Sequence, residues 1–395
     1  MRHLEFGRIA WSKGDYLEAR DAFRRAVRHE RGNAEAWFDL ASACDMTGDP
    51  CEALQCLEEV ARLGPYRPDA RFLRGTIRLL LGEFPTAWSD YRAFYETERY
   101  KLKGCPMPMW DGVATGQHIL LYSDQGLGDA IQFLRYVPQL RQKFRHISFY
   151  GPESLGSIIR LNELANELIP DPGLLLAYPG GLRSLPCEYY SPLSALPGWF
   201  GADIPLAPYL RCEQSLPATF MRRHFDRSEF KVGIAWKGSR DTPRNKIRSF
   251  TTGLFRRLID IPNTHFYVLQ KDATSEEMKV FDGASDVTIL TDDMNRFRGW
   301  DIMATAAAMM QMNLVITCDN MHAHLAGAIG RTVWVGLPYA SEWRWQLGMT
   351  DSPWYPTSRL FRQPEYGCWE PVFDSMASEL LYAANSGSRP QCSRD

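Results

Sequence analysis

Several things are missing from this chain of 395 residues, and each absence excludes a class of protein. No apolar run approaches the roughly 18 residues that a membrane helix needs. The start, Met1-Arg2-His3-Leu4-Glu5, lacks the apolar core of a secretory leader. Neither sign of charge dominates: 45 Lys and Arg stand against 47 Asp and Glu, a net charge of −2, which argues against a bulk electrostatic binder of nucleic acid. The nine cysteines are odd in number and form no C-x-x-C pair, which argues against a zinc ribbon or a disulfide scaffold. Reduced thiols in a cytoplasm are the expectation. What remains, 45% hydrophobic and 23% charged residues, is an ordinary globular mix with length for two or three domains.

What is present begins with a repeat. Gly14-Asp15-Tyr16-Leu17-Glu18-Ala19 recurs as Gly48-Asp49-Pro50-Cys51-Glu52-Ala53 and as Gly82-Glu83-Phe84-Pro85-Thr86-Ala87, an offset of 34 residues each time. Other positions keep the same step: Leu4, Phe38 and Phe72; Gly7, Ala41 and Gly75; Phe23, Leu57 and Tyr91. Small residues at fixed steps let paired helices approach, and large ones fill the groove between pairs. Residues 1–100 are therefore expected to form three helical hairpins, with the glycine of each motif at the turn. The pattern resembles the tetratricopeptide repeat. Such an array offers a concave face to a partner, and a short one serves equally as a brace.

After Tyr100 the chemistry changes. Residues 101–117, with Gly104, Pro106, Pro108, Gly112 and Gly116, have the composition of a linker. Compact apolar runs at Ile119–Ser123 and Ile147–Tyr150, with a helical run between, predict an α/β unit over residues 118–225. Strands predicted at Val232–Trp236, Phe266–Leu269, Val287–Leu290, Leu314–Cys318 and Val333–Leu337 build a second over 226–395, ending in a helix. The fold class is thus α/β with an all-α N-terminal part. Two doubly wound units make a cleft, and ligands bind beyond the carboxyl ends of such strands.

Residues with chemistry gather at those ends. Asp124-Gln125-Gly126-Leu127-Gly128-Asp129 follows the first strand; the glycines allow a tight turn and close approach of a substrate. Asp129 falls in the first helical turn, where a carboxylate faces the cleft or simply caps the helix. A lone Gly-x-Gly is too short for a dinucleotide fingerprint. Asp319-Asn320-Met321-His322-Ala323-His324 opens another helix, a place for an anion. Asp319 suits sugar hydroxyls, and His324 suits a phosphate oxygen or a packed helix. His322 and His324, two apart, face different ways and make a poor metal pair. Lys237, Arg240, Arg244, Lys246 and Arg248 suggest a pyrophosphate site or a solvated basic loop. Gln270 and Lys271 end a strand within reach of a base or phosphate. Trp343-Arg344-Trp345 and Trp354-Tyr355 suit stacking on a sugar or base, or packing between domains.

Together these segments, with Trp110-Asp111-Gly112, Gln125 to Tyr136, Asp319 to Gly327, Glu342 to Trp345 and Asp351 to Pro356, resemble bacterial proteins that join tetratricopeptide repeats to a glycosyltransferase domain of the lipopolysaccharide heptosyltransferase type. The resemblance implies a GT-B fold with acceptor on the first half and nucleotide-sugar on the second. It implies an inverting transferase that uses no cofactor and no metal. It assigns Asp129 as general base, Asp319 and His324 to the donor, and Lys237 and the basic loop to Arg248 to its phosphates; Gln270, Lys271, Asn320 and His322 are expected at the donor from their own places at the strand ends. Gln125, Gly126, Gly128, Trp343 and Arg344 fall to the acceptor loops. Asn320 and His322 stand where that family has small or hydroxylated residues. The partners expected are a nucleotide-sugar and a protein or peptide acceptor docked by the repeats. A lipid or oligosaccharide acceptor with the repeats as a brace, and an inactive scaffold, stay open at this point.

Overall fold

The structure is a computed structural model that describes residues 2–64, 67–96, 102, 105–171, 180–201, 207–213, 218–226, 228–238, 243–291, 293 and 301–386. Six helices form the N-terminal array: α1 (Arg2–Lys13), α2 (Tyr16–His29), α3 (Ala34–Met46), α4 (Pro50–Leu63), α5 (Pro68–Leu80) and α6 (Phe84–Tyr91). The sequence explains their limits. Asn33 caps α3 by accepting from the Ala36 N–H at 3.1 Å, and Asp49 caps α4 by accepting from the Glu52 N–H at 3.0 Å. The turn glycines Gly14, Gly48 and Gly82 have φ of +91°, +82° and +82°, a backbone that only glycine adopts without strain. The first two hairpins bury Phe23, Leu40, Leu57 and Val60 among alanines. The third joins the central core of the protein through Leu79, Leu80, Trp88 and Tyr91.

Two wholly parallel sheets follow. The first holds β1 (Gly116–Tyr122), β2 (Phe144–Pro152), β3 (Glu167–Asp171) and β4 (Tyr189–Pro192) in the order β3-β2-β1-β4. The second holds β5 (Phe230–Ala235), β6 (Thr264–Val268), β7 (Val287–Ile289), β8 (Leu314–Cys318), β9 (Val333–Leu337) and β10 (Ser358–Arg362) in the order β7-β6-β5-β8-β9-β10. Counted from its own first strand, each sheet runs 3-2-1-4, and the second continues 5-6. That is the doubly wound Rossmann order, whose ligand crevice opens where the winding reverses, here between β1 and β4 and between β5 and β8. The central strands of the second sheet are covered on both faces: all five residues of β6, β8 and β9 are buried.

Two expected boundaries shift. The stretch taken as linker is packed chain over its described part. Trp110 is fully buried and donates its indole N–H to Ala114 O at 2.8 Å, and Met109 bridges to Tyr190 beside β4. A large aromatic outweighed the glycines and prolines around it. The helix Ala218–Phe225, expected with the first unit, packs on the second: Phe225 lies 4.9 Å from the Tyr267 ring, and Tyr267 donates its hydroxyl to His224 O at 2.8 Å. The C-terminal helix Glu370–Ser386 also closes on the second sheet, Phe373 packing on Phe250 and Phe255.

Candidate functional site

The two crevices and the array meet in one cavity of about 640 Å³. From the first half, the loop after β1 supplies Gln125, Gly126, Gly128 and Asp129. Asp129 sits in the first turn of α7 (Leu127–Phe133) and accepts from the Gly126 N–H at 2.8 Å, the cap its position foretells. Its other oxygen is paired with Arg344, which arrives from the turn after β9. Arg344 is buried. It also pairs with Glu342, donates to Gln132 Oε1 at 2.6 Å and lies 4.3 Å from the Trp343 ring. This cation is a bolt between the halves rather than a free acceptor contact. Gly128 is small for a visible reason: a Cβ there would come within 2.8 Å of His324 across the cleft.

Beneath this floor lies a carboxylate that the sequence reading passed over. Asp124 accepts from the Ser194 N–H at 3.1 Å and from the Ser194 hydroxyl, tying the loop after β1 to the turn after β4. Burial pushes its carboxyl up to about 6. Gln125, expected to face the acceptor, is spent here: its amide donates to Ser194 Oγ and to Tyr91 Oη, each at 3.0 Å. Trp343 likewise packs, against Trp88 at 5.7 Å and Tyr91 at 6.0 Å.

From the second half come Lys237, Arg248, Gln270, Lys271, Asp319, Asn320, His322 and His324, all lining the same cavity. Their states differ. Lys237 is paired with Glu277 at 2.7 Å and is no free cation. Gln270 accepts from the Trp236 and Lys237 N–H groups at 3.0 and 3.1 Å and gives its amide to Asp272, so it braces the backbone. Asn320 caps the helix Met321–Ala328 through the His322 N–H at 2.8 Å and donates to Lys237 O. Lys271 is exposed on the rim. Arg248 reaches to 3.7 Å from Asp319. Lys237, Arg244 and Arg248 thus each face a carboxylate distant in sequence. Arg240 lies outside the described residues.

The histidines are both buried and neutral. Burial pushes His324 down to about 3 and His322 down to about 4. His324 Nδ1 is 2.9 Å from the Tyr355 hydroxyl, and its ring is stacked on Trp345. Burial holds Tyr355 well above the ordinary phenol range, so it stays protonated and can donate to Nδ1. That tautomer leaves Nε2–H aimed at Asp319, 3.9 Å away. Among the described residues no side chain hydrogen-bonds a ring nitrogen of His322, and its nearest polar neighbour is the Leu269 backbone.

The array completes the cavity with Asp45, Phe72, Leu73, Thr76, Leu80 and Tyr91. Asp45 is paired with Arg244, which also reaches Ala340 O at 3.3 Å. The turns of the repeats lie along the second half: a Cβ on Gly48 would touch Tyr339 at 2.7 Å, and one on Gly82 would lie 3.4 Å from Gln346.

Comparison with known proteins bears first on the array. A tetratricopeptide repeat family model matches residues 4–68. The first two hairpins of the array, which this match covers, are tetratricopeptide repeats. Over the longer span, Protein FlbA of Caulobacter vibrioides is 26% identical over 405 residues, covering 95% of this chain. The chain spans 66% of that relative's length. A solved glycosyl transferase family 9 protein from Veillonella parvula aligns over 69% of this chain and 97% of its own, at 12% identity and a TM-score of 0.49. An O-GlcNAc transferase variant from Thermobaculum terrenum aligns over 85% and 75%, at 14% identity and a TM-score of 0.32. Among the described residues, no helix is long and apolar enough to cross a membrane.

Proposed function

We propose that the protein is a glycosyltransferase that moves a sugar from a nucleotide-sugar to a hydroxyl of an acceptor docked by the tetratricopeptide array. One observation carries the reading. A carboxylate from one Rossmann-like half, Asp129, and the Arg248–Asp319–His324 group from the other line a single cavity where both sheets reverse their winding. That is where such sheets hold nucleotides. The names of the solved proteins of similar outline point the same way.

The chemistry follows from the charges. The donor's diphosphate lies against the N-terminus of the Met321–Ala328 helix and Arg248, both of which favour negative charge as the nucleotide leaves. His324 adds a neutral N–H donor. His322, buried and neutral in the cavity wall, reads an uncharged edge of the donor. Asp129 takes the proton of the acceptor hydroxyl as it attacks the anomeric carbon from the opposite face, which inverts the configuration. No step of this displacement calls on a metal ion. General-base help of this kind is worth roughly 10²–10⁴-fold. Asp129→Asn is therefore expected to abolish transfer while nucleoside diphosphate still binds. Full transfer by that variant would end the assignment.

The array favours a docked acceptor over a mere brace. It braces through its turns and the Asp45–Arg244 pair, yet Phe72, Leu73 and Thr76 on α5 also face the cavity that holds the donor. Leu73→Arg is expected to block transfer and spare slow donor hydrolysis. Equal loss of both would return the array to a purely bracing role.

A further inference from the structure

We infer that the first Rossmann-like half carries a divalent-metal site of the zinc class, built by His118, His146 and Glu167 at the end of its sheet remote from the cleft. The inference does not rest on the transferase reading. The three residues lie on adjacent strands near their N-terminal ends. His118 on β1 and His146 on β2 are register partners, and their rings meet at 4.2 Å. Glu167 opens β3 opposite Ser148, two residues beyond His146 and so on the same face of the sheet. One ligand atom from each residue lies within 4.8 Å of the others.

The donor set selects the ion. Two imidazole nitrogens and one carboxylate oxygen suit zinc, whereas magnesium and calcium prefer all-oxygen shells. Bonds near 2.0–2.1 Å place tetrahedral ligand atoms about 3.3 Å apart, so closure needs side-chain rotation of about 1 Å and no movement of the strands. The residues are half-exposed, which leaves an entry path and a fourth position for water. Ser148 is set to orient the shell. Its buried hydroxyl donates to Glu167 Oε2 at 2.5 Å and accepts from His118 Nε2–H at 2.8 Å, a proton released to solvent when an ion takes that nitrogen. In the ion's absence this serine bridges two of the three ligands, which keeps them converged. A bound ion would tie three strands together and stabilise the first half.

The test uses full-length protein stripped with a chelator and titrated with Co²⁺ as the probe. The expected result is one saturable equivalent with the visible absorption of a four- or five-coordinate site, displaced by Zn²⁺. Glu167→Gln and His146→Gln should each weaken binding at least tenfold. Zn²⁺ at a hundred times its Kd should raise the unfolding temperature of the parent by about 3 °C and leave His146→Gln unmoved. Because His146 is half-exposed, that variant keeps its fold, checked by circular dichroism. Absence of a saturable cobalt spectrum would overturn the proposal. So would a spectrum that survives in both variants, since the ion would then sit elsewhere, on the thiols.

Discussion

Gly75→Ala sets two effects of opposite sign against each other. Gly75 is buried inside α5, where alanine is the better helix former by about 1 kcal/mol. A Cβ there, however, would lie 2.5 Å from Tyr91 N and 3.0 Å from Ala87 O. Both are backbone atoms of α6, so no side chain can swing aside. Ordinary contact requires α6 to retreat by about 1 Å. Overpacking of this kind costs about 1–3 kcal/mol, and rigid backbone puts it at the upper end. The net expectation is a loss of about 1–2 kcal/mol. The retreat would also draw Trp88 and Tyr91 from Trp343, and Tyr91 from the Gln125 amide, so transfer should fall as well. Ala41→Gly, at the same place in the second repeat, carries the propensity loss together with that of one buried methyl and sets its upper bound. Thermal unfolding followed by tryptophan fluorescence reads both variants. Stabilisation of Gly75→Ala by about 1 kcal/mol would refute the reasoning, because it would mean that the third hairpin has room to spare.

Three further outcomes are expected. Arg344→Gln removes a buried cation paired with Asp129 and Glu342 and should cost about 3–5 kcal/mol in chemical denaturation; a cost under 1 kcal/mol would show that the halves are not bolted there. Arg248→Ala should weaken nucleoside diphosphate binding roughly 10- to 100-fold, the loss of a charge-assisted contact, and unchanged affinity in calorimetry would remove Arg248 from the donor site. The buried histidines set an acid limit. In the unfolded chain they titrate near 6.5, but folding depresses them to about 4 and about 3. Their contribution is intact above pH 6.5 and is lost as the pH falls from there toward those folded values, each by about 1 kcal/mol per pH unit. Denaturation midpoints of the parent should therefore drop faster than those of His324→Gln between pH 6.5 and 4.5; parallel curves would contradict the neutral state of His324.

The sequence made the periodic parts of the fold legible. The 34-residue step located all three hairpins, and the apolar runs located seven of the ten strands among the described residues, because both signals are local. The strands β3, β4 and β10 were not located. β3 and β4 fall near or within a proline-rich stretch, and β10 holds only Leu360-Phe361 between two arginines. The site was legible as a gathering of strand ends. Its charge states were not: Lys237 meets Glu277 40 residues away, Arg244 meets Asp45 199 away and Arg344 meets Asp129 215 away. No local pattern signals such pairs. Asp124 was passed over because its role comes from Ser194, 70 residues on at the other side of the crevice.

The most direct test of the central claim is a thermal-shift screen of the whole protein against nucleoside diphosphates and nucleotide-sugars. A rise with one nucleoside diphosphate and its sugar conjugate, lost in Arg248→Ala and kept in Asp129→Asn, is the result the account predicts. No shift with any nucleotide would contradict it and leave a repeat-bearing scaffold in its place.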